Sequence, residues 1–323
     1  MSRSLGLRAG DWVEVRSAAE ILATLDERGC LEGLPFMPEM LAACGKRFRV
    51  FKSAHKGCDT IKTSASFRMA DAVHLLGQRC DGGGHDGCQA RCLIYWKDAW
   101  LKRADGPGPA NGSGAPPDRG DSGVDTGRLT RATQHVDDAG ETIYSCQATM
   151  LPGASVPLPP GDAGQYWKDL TTRNVGWFDL VRYLILAGYN RVMRLHWRGR
   201  PYPLLQGRAE AKTPHQVLNL QPGEMVQVRS KEEIQETINQ QHRNRGLSFD
   251  VEMLPFCGRT FRVLARVDHI IDERSGRMMR MNNPCVILEG VTCAGNYSMN
   301  RLFCPRSIYP YWREIWLKRV DPA

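Results

Sequence analysis

The residues best suited to chemistry crowd into one span. Cys58, Cys80, Cys88 and Cys92 are joined there by His55 and by His85, which sits in the glycine-rich loop CDGGGHDGCQARC. Thiolate sulfur and neutral imidazole are zinc ligands, and four thiolates are the set that closes a tetrahedral zinc site or holds an iron–sulfur cluster. Gly82, Gly83, Gly84 and Gly87 let a short loop fold back so that its side chains converge. Lys56, Arg79 and Arg91 flank the cysteines and would offset thiolate charge. The expected ligands are therefore Cys58, Cys80, Cys88 and Cys92, with His85 competing for the fourth place. Cys146 and His55 are the alternative ligands. No C-x2-C knuckle of the common zinc ribbons is present, which leaves zinc, the commoner ion, and an iron–sulfur cluster both open. Cys44 and Cys257 follow apolar stretches and read as small buried hydrophobes, and Cys30 as an incidental surface or loop thiol.

Other chemistry is thinly represented. No nucleophile elbow, phosphate loop, dinucleotide fingerprint or HExxH motif occurs, and no small-molecule substrate is indicated. Acid pairs such as Asp81/Asp86 or Glu39/Glu252 have nothing in the sequence to orient them and read as surface or capping residues. The formal charge of +8 permits a polyanionic partner, but solvated arginines explain it equally. The segments YWKDAWLKR and YWREIWLKR interleave aromatics with cations. Trp96, Lys102, Arg103, Trp312, Lys318 and Arg319 thus form a candidate surface for nucleic acid, protein or glycan. The same spacing also describes core anchors with a basic edge.

Those two segments close a duplicated unit. Residues 10–50 align without a gap on residues 223–263, with 19 identities in 41 positions, which is dense enough to establish an internal repeat. Cys80 and Cys88 have counterparts in Cys293 and Cys304, whereas Cys58 aligns with Ile271, His55 with Asp268 and Cys92 with Ile308. The first copy reads as metal-bearing and the second as a degenerate copy held by ordinary burial.

Each copy reads as mainly β. Trp12–Val15 alternates at period two, and residues 48–51, 72–76 and 96–103 are further strands. Ser17 and Glu20 form a capping box for a short helix. The expected organisation is a first repeat over 1–103, a flexible linker over 104–127, a mixed strand and helix insert over 128–210 and a second repeat over 211–323. Helices are expected over 162–172 and 177–197. The second should pack an apolar face of Phe178, Leu180, Val181, Leu184, Ile185, Ala187, Val192 and Leu195 on a barrel and leave its arginines in solvent; a membrane-surface or partner-binding helix is the alternative.

The GDWVEV opening, the GKRFRV strand and the short closing strand resemble SH3-like small barrels, including KOW-type modules. The resemblance implies an α+β, mainly β fold of two duplicated small barrels with a helical insert. It also implies a protein or RNA partner, and it assigns no site residue. The words PFMPEM, HKGCDT and WLKR are also similar to those of a bacterial protein group, which implies no activity. The N-terminal residues lack the apolar region of a secretory signal, and no apolar run approaches the ~18 residues of a membrane span. A cytoplasmic protein is expected, whose eleven cysteines serve as thiols or ligands rather than disulfides.

Overall fold

The structure, a computed structural model, describes residues 4–61, 65–108, 127–159, 161–196, 199–210, 212–298 and 301–320. Most of the expected linker lies outside the described residues. The fold is mixed α+β, with two five-strand antiparallel sheets separated in sequence by a helical region. Two compact units are present. The first comprises Met1–Leu180, Ile271–Met278 and Phe303–Arg306, and the second Val181–Ile270, Met279–Leu302 and Ser307–Ala323. Two short segments of the second repeat thus belong to the first unit.

In the first unit the strands are β1 (Trp12–Val15), β2 (Arg47–Ser53), β3 (Ala72–Arg79), β4 (Leu93–Lys97) and β5 (Leu101–Ala104), in sheet order β4-β3-β2-β1-β5. Alternation fixes which way β1 faces: Val13 and Val15 are fully buried, while Trp12 and Glu14 are half-buried on the other side. Helix α1 (Ala18–Leu22) starts as the sequence predicts. Glu20 N–H donates to Ser17 Oγ and Ser17 N–H to Glu20 Oε2. The second unit repeats this with β6 (Met225–Val228), β7 (Thr260–Arg266), β8 (Cys285–Leu288), β9 (Trp312–Arg313) and β10 (Leu317–Arg319), in order β9-β8-β7-β6-β10. Even the irregularities match. The register shifts between Val50 and Lys52 in β2, and between Val263 and Ala265 in β7.

The strand expected over 96–103 is interrupted, while the reading of its tryptophans as core anchors agrees with the structure. A 3-10 turn over Asp98–Trp100 splits the first into two strands, and Glu314–Trp316 does the same in the second. Trp96 and Trp312 are completely buried, as are Trp100 and Trp316, so the tryptophans are not a binding surface. Phe36 meets Trp96 and Trp100 edge-on, and Phe249 meets Trp312 and Trp316 in the same way. Rings this large contribute most where water is wholly excluded, and the two cores take them. Lys102 and Arg103 stay outside, paired with Glu20 and Asp11; Lys318 and Arg319 pair with Glu233 and Glu224.

Cys30 is also corrected: it is buried, with its N–H held by Asp26 Oδ1 at 2.9 Å. Helices α2 (Gln147–Ala154), α3 (Gly164–Thr171) and α4 (Trp177–Leu195) form in the region between the repeats. The expected packing of α4 does not occur. Phe178, Val181, Ile185, Val192 and Leu195 are exposed, while Leu180 and Asn190 are buried.

His74 on β3 gives the first unit a measurable acid response. Its ring is fully buried, lies 4.4 Å from the Tyr95 ring, and has Nδ1 2.9 Å from the Ile94 carbonyl. Burial lowers its pKa to about 3, aided by the nearby cations Arg306, Lys52 and Arg79, although the bond to Ile94 opposes the shift. Unfolded histidine titrates near ~6.5. Below that value the unfolded chain binds a proton that the folded chain refuses, so stability present above pH ~6.5 is lost as pH falls toward 3. At ~1.4 kcal/mol per pH unit, His74 alone should cost ~2 kcal/mol between pH 6.5 and 5.0. Thermal melts at both pH values should show this, and His74→Gln should flatten the difference. An unchanged pH slope in the variant would assign the acid response elsewhere.

Candidate metal centre

The glycine-rich loop is the connection between β3 and β4. Cys80 follows β3 and Cys92 precedes β4, and Cys80 N–H donates to the Cys92 carbonyl at 2.9 Å, closing the base of the loop. Within it His85 and Gly87 N–H both bond the Gly82 carbonyl, and Asp81 Oδ1 takes the N–H of Gly83. Gly82 has φ of +80°, and a Cβ there would stand 2.3 Å from the Cys88 carbonyl oxygen, so only glycine permits this turn. Tyr144 pins the far side by donating to Asp86 Oδ2 at 2.5 Å.

That turn carries Cys80 and His85 to Glu39, which lies on the 3-10 helix Pro38–Ala43. The donor atoms of the three all lie within 4.8 Å of one another, so the group could hold a metal ion. Cys80 Sγ is 3.0 Å and His85 Nδ1 is 3.3 Å from Glu39 Oε1. Donors at ~2.0–2.3 Å from a shared tetrahedral ion stand roughly 3.3–3.8 Å apart, close to these spacings. The group is interior: the Glu39 side chain is 4% exposed and that of His85 1%.

The polar accounting of this pocket is incomplete. His85 Nε2 lies 3.1 Å from the Ser145 carbonyl, which can only accept, so Nε2 carries a proton. In the neutral ring Nδ1 is then a bare lone pair, and it faces a carboxylate. Neither His85 Nδ1 nor Glu39 Oε2 has a hydrogen-bond partner. A buried acceptor without a partner costs ~1–3 kcal/mol, and two acceptors aimed at each other cost more. A proton on Nδ1 would pair His85 with Glu39 Oε1 and leave Oε2 without a partner, whereas a metal ion can take both groups, and the Nε2–H to carbonyl bond is the outer-shell support that ligating histidines use. Burial by itself would raise the Glu39 pKa, but the Cys80 thiol and an Nδ1 proton on His85 outweigh it and hold the carboxyl below its usual range. Burial, and then the Glu39 charge, push the Cys80 thiol strongly upward.

Two of the expected ligands, Cys80 and His85, are thus brought together, and Glu39 joins them. Cys58, Cys88 and Cys92 belong to no group of three or more donors of that closeness among the described residues. They lie elsewhere in the first unit. Cys58 ends the strand Lys56–Cys58, its N–H 3.2 Å from Cys304 Sγ, and Cys88 Sγ accepts from Ile271 N–H at 3.3 Å. Burial raises the Cys92 thiol to about 12, with Cys146 and Cys88 near enough to contribute. Cys146 is raised too, first by burial. None of the eleven cysteines forms a disulfide. His55 turns elsewhere, with Nε2 3.3 Å from Asp169 Oδ1 and Nδ1 3.3 Å from Ser53 Oγ.

The second repeat shows the alternative solution. Glu252, the counterpart of Glu39, is also buried, but its carboxylate accepts from Asn296 and Tyr297 N–H at 3.0 and 2.6 Å. Burial raises its pKa against those donors. Backbone amides fill there the role left open at Glu39. Glu39 had a signal in the sequence, since it is one of the few acids kept in both copies, but nothing in one dimension placed it beside the loop.

No protein-family model matches the chain, and neither a curated protein nor a solved structure does. No helix among the described residues is long and apolar enough to cross a membrane.

Proposed function

We propose that the chain is a metal-stabilised binding protein built on tandem SH3-like small barrels, working in the cytoplasm on a protein or nucleic-acid partner. Each repeat orders its strands fourth, third, second, first, fifth, with a one-turn helix before the closing strand, and that order supports the small-barrel reading. The carrying observation is the bare His85 Nδ1 facing Glu39 beside Cys80, a mixed nitrogen, oxygen and sulfur set that suits zinc. Glu39, Cys80 and His85 would hold the ion, which ties the 3-10 helix to the β3–β4 loop. The burial of Trp96 and Trp312 shifts any nucleic-acid contact to the basic edges, where binding must weaken steeply with salt.

An iron–sulfur redox or biosynthetic accessory enzyme centred on Cys58, Cys80, Cys88 and Cys92 is the second reading, favoured by the presence of all four in the first unit. Anaerobic purification of the full chain separates the two. One zinc per chain, removed by chelator with a fall in melting temperature, is the expected result. Brown protein with iron and labile sulfide favours the second reading, and metal-free protein of undiminished stability rejects both.

A further inference from the structure

Helix α4 carries an apolar stripe on its outward side. Phe178, Val181, Ile185, Tyr189, Val192 and Leu195 recur at intervals of three and four, and they are 88, 38, 68, 46, 50 and 82% exposed. The helix is anchored from the opposite side, by buried Leu180 and by Asn190, whose side chain bonds the Tyr202 backbone at 2.6 and 2.7 Å. Side chains this apolar are not left in water along 19 residues, about 28 Å of helix, without a reason.

The charges and the width of the stripe indicate what covers it. At 100° per residue the apolar arc runs about 120°, from Trp177 and Leu195 at one edge to Tyr189 at the other. That is broader than the two-in-seven seam of a helix pair. Arg182 borders one edge and Arg191 the other, Arg194 lies farther round, and Asp179 is the helix's single acid. Arginines beside a wide apolar face extend their charge to lipid phosphates while their stems stay in the apolar layer. Tryptophan and tyrosine at the borders match the boundary between headgroup and acyl chain. A second copy laid on the same face would bring arginine edges against arginine edges.

We propose that this face of α4 lies on an anionic lipid surface, with the helix parallel to the bilayer. The interaction is peripheral and does not depend on the metal. The full chain should co-sediment with vesicles of phosphatidylcholine and phosphatidylserine at 7:3, and at least about tenfold more weakly with phosphatidylcholine alone. Ile185→Glu with Val192→Glu should lower binding by more than about tenfold. Each of Arg182→Gln and Arg191→Gln should lower it about fivefold at low salt. All these positions are exposed, so circular dichroism should stay unchanged. Absence of binding to phosphatidylserine vesicles, or binding indifferent to the Glu pair, overturns the proposal. So does a dimer that the Glu pair dissociates, or a preference for an acidic amphipathic peptide over vesicles.

Discussion

Replacing Glu39 with alanine should lower zinc affinity by at least about a hundredfold, near 2.7 kcal/mol, since even outer-shell partners of a metal are worth tenfold to a hundredfold. The melting temperature of the zinc-loaded chain should fall with it. The dependence of that change on zinc makes the result decisive. Glu39 is a buried carboxylate whose Oε2 has no hydrogen-bond partner, and its Oε1 faces the Nδ1 of His85. If no metal belongs there, the deletion loses only the contacts of Glu39 Oε1 with Cys80 and His85, and the change in stability is the same with and without zinc. If a cation does belong there, the same deletion costs a ligand. The pH dependence gives an independent check. Burial and the Glu39 carboxylate push the Cys80 thiol upward, and zinc takes the thiolate, so binding must release a proton. Apparent affinity should therefore rise with pH in titrations near neutrality. Glu39→Gln, which keeps the shape and one acceptor, should fall between parent and alanine. Equal melting temperatures for all three proteins, with and without zinc, would falsify the metal centre.

The sequence carried the duplication, the capping boxes and the loop that brings Cys80 to His85, because these are local or periodic features. Ser17 and Glu20 are three residues apart, and the β1 alternation needs only its neighbours. The spacing of the tryptophans fits core and surface alike, because spacing alone does not say which side of a strand faces water. The metal group needed a contact across 41 residues, from Glu39 to Cys80, that no local rule supplies. Counting sulfur atoms favoured the four cysteines over a carboxylate that had been read as surface. In the sequence Lys56 reads as a counter-charge to thiolates, whereas its partner in the fold is an aspartate on α3. The apolar face of α4 is legible from its three- and four-residue spacing, but that spacing does not say whether its own chain or an outside surface covers it.

Removing the Asp169 carboxylate should be the most damaging of the conservative single changes in the first unit. Lys56 is 3% exposed, and its Nζ lies 2.5 Å from Asp169 Oδ2 and 3.3 Å from Gln165 Oε1. It also stands 5.1 and 5.8 Å from the ring centres of Tyr166 and Phe303. Asp169 is itself fully buried and has His55 on its other oxygen. Burial lowers the Lys56 pKa, and Asp169 opposes that shift. Asp169→Ala leaves an ammonium in the interior with no counter-charge, a loss of ~3–5 kcal/mol by comparison with other broken buried pairs. The sign of the pH response follows. Without Asp169 the Lys56 pKa falls further, so between that value and ~10.4 the unfolded chain binds the extra proton and stability rises with pH. Urea unfolding followed by tryptophan fluorescence at pH 7 and 9 should show the variant recovering part of its loss at the higher pH. Lys56→Met combined with Asp169→Leu should recover most of it at either pH, because a buried ion pair and an apolar pair of similar volume differ little in net stability. A double variant no better than Asp169→Ala would mean that the pair is needed for its geometry around His55 and Gln165, and not only to neutralise a buried charge.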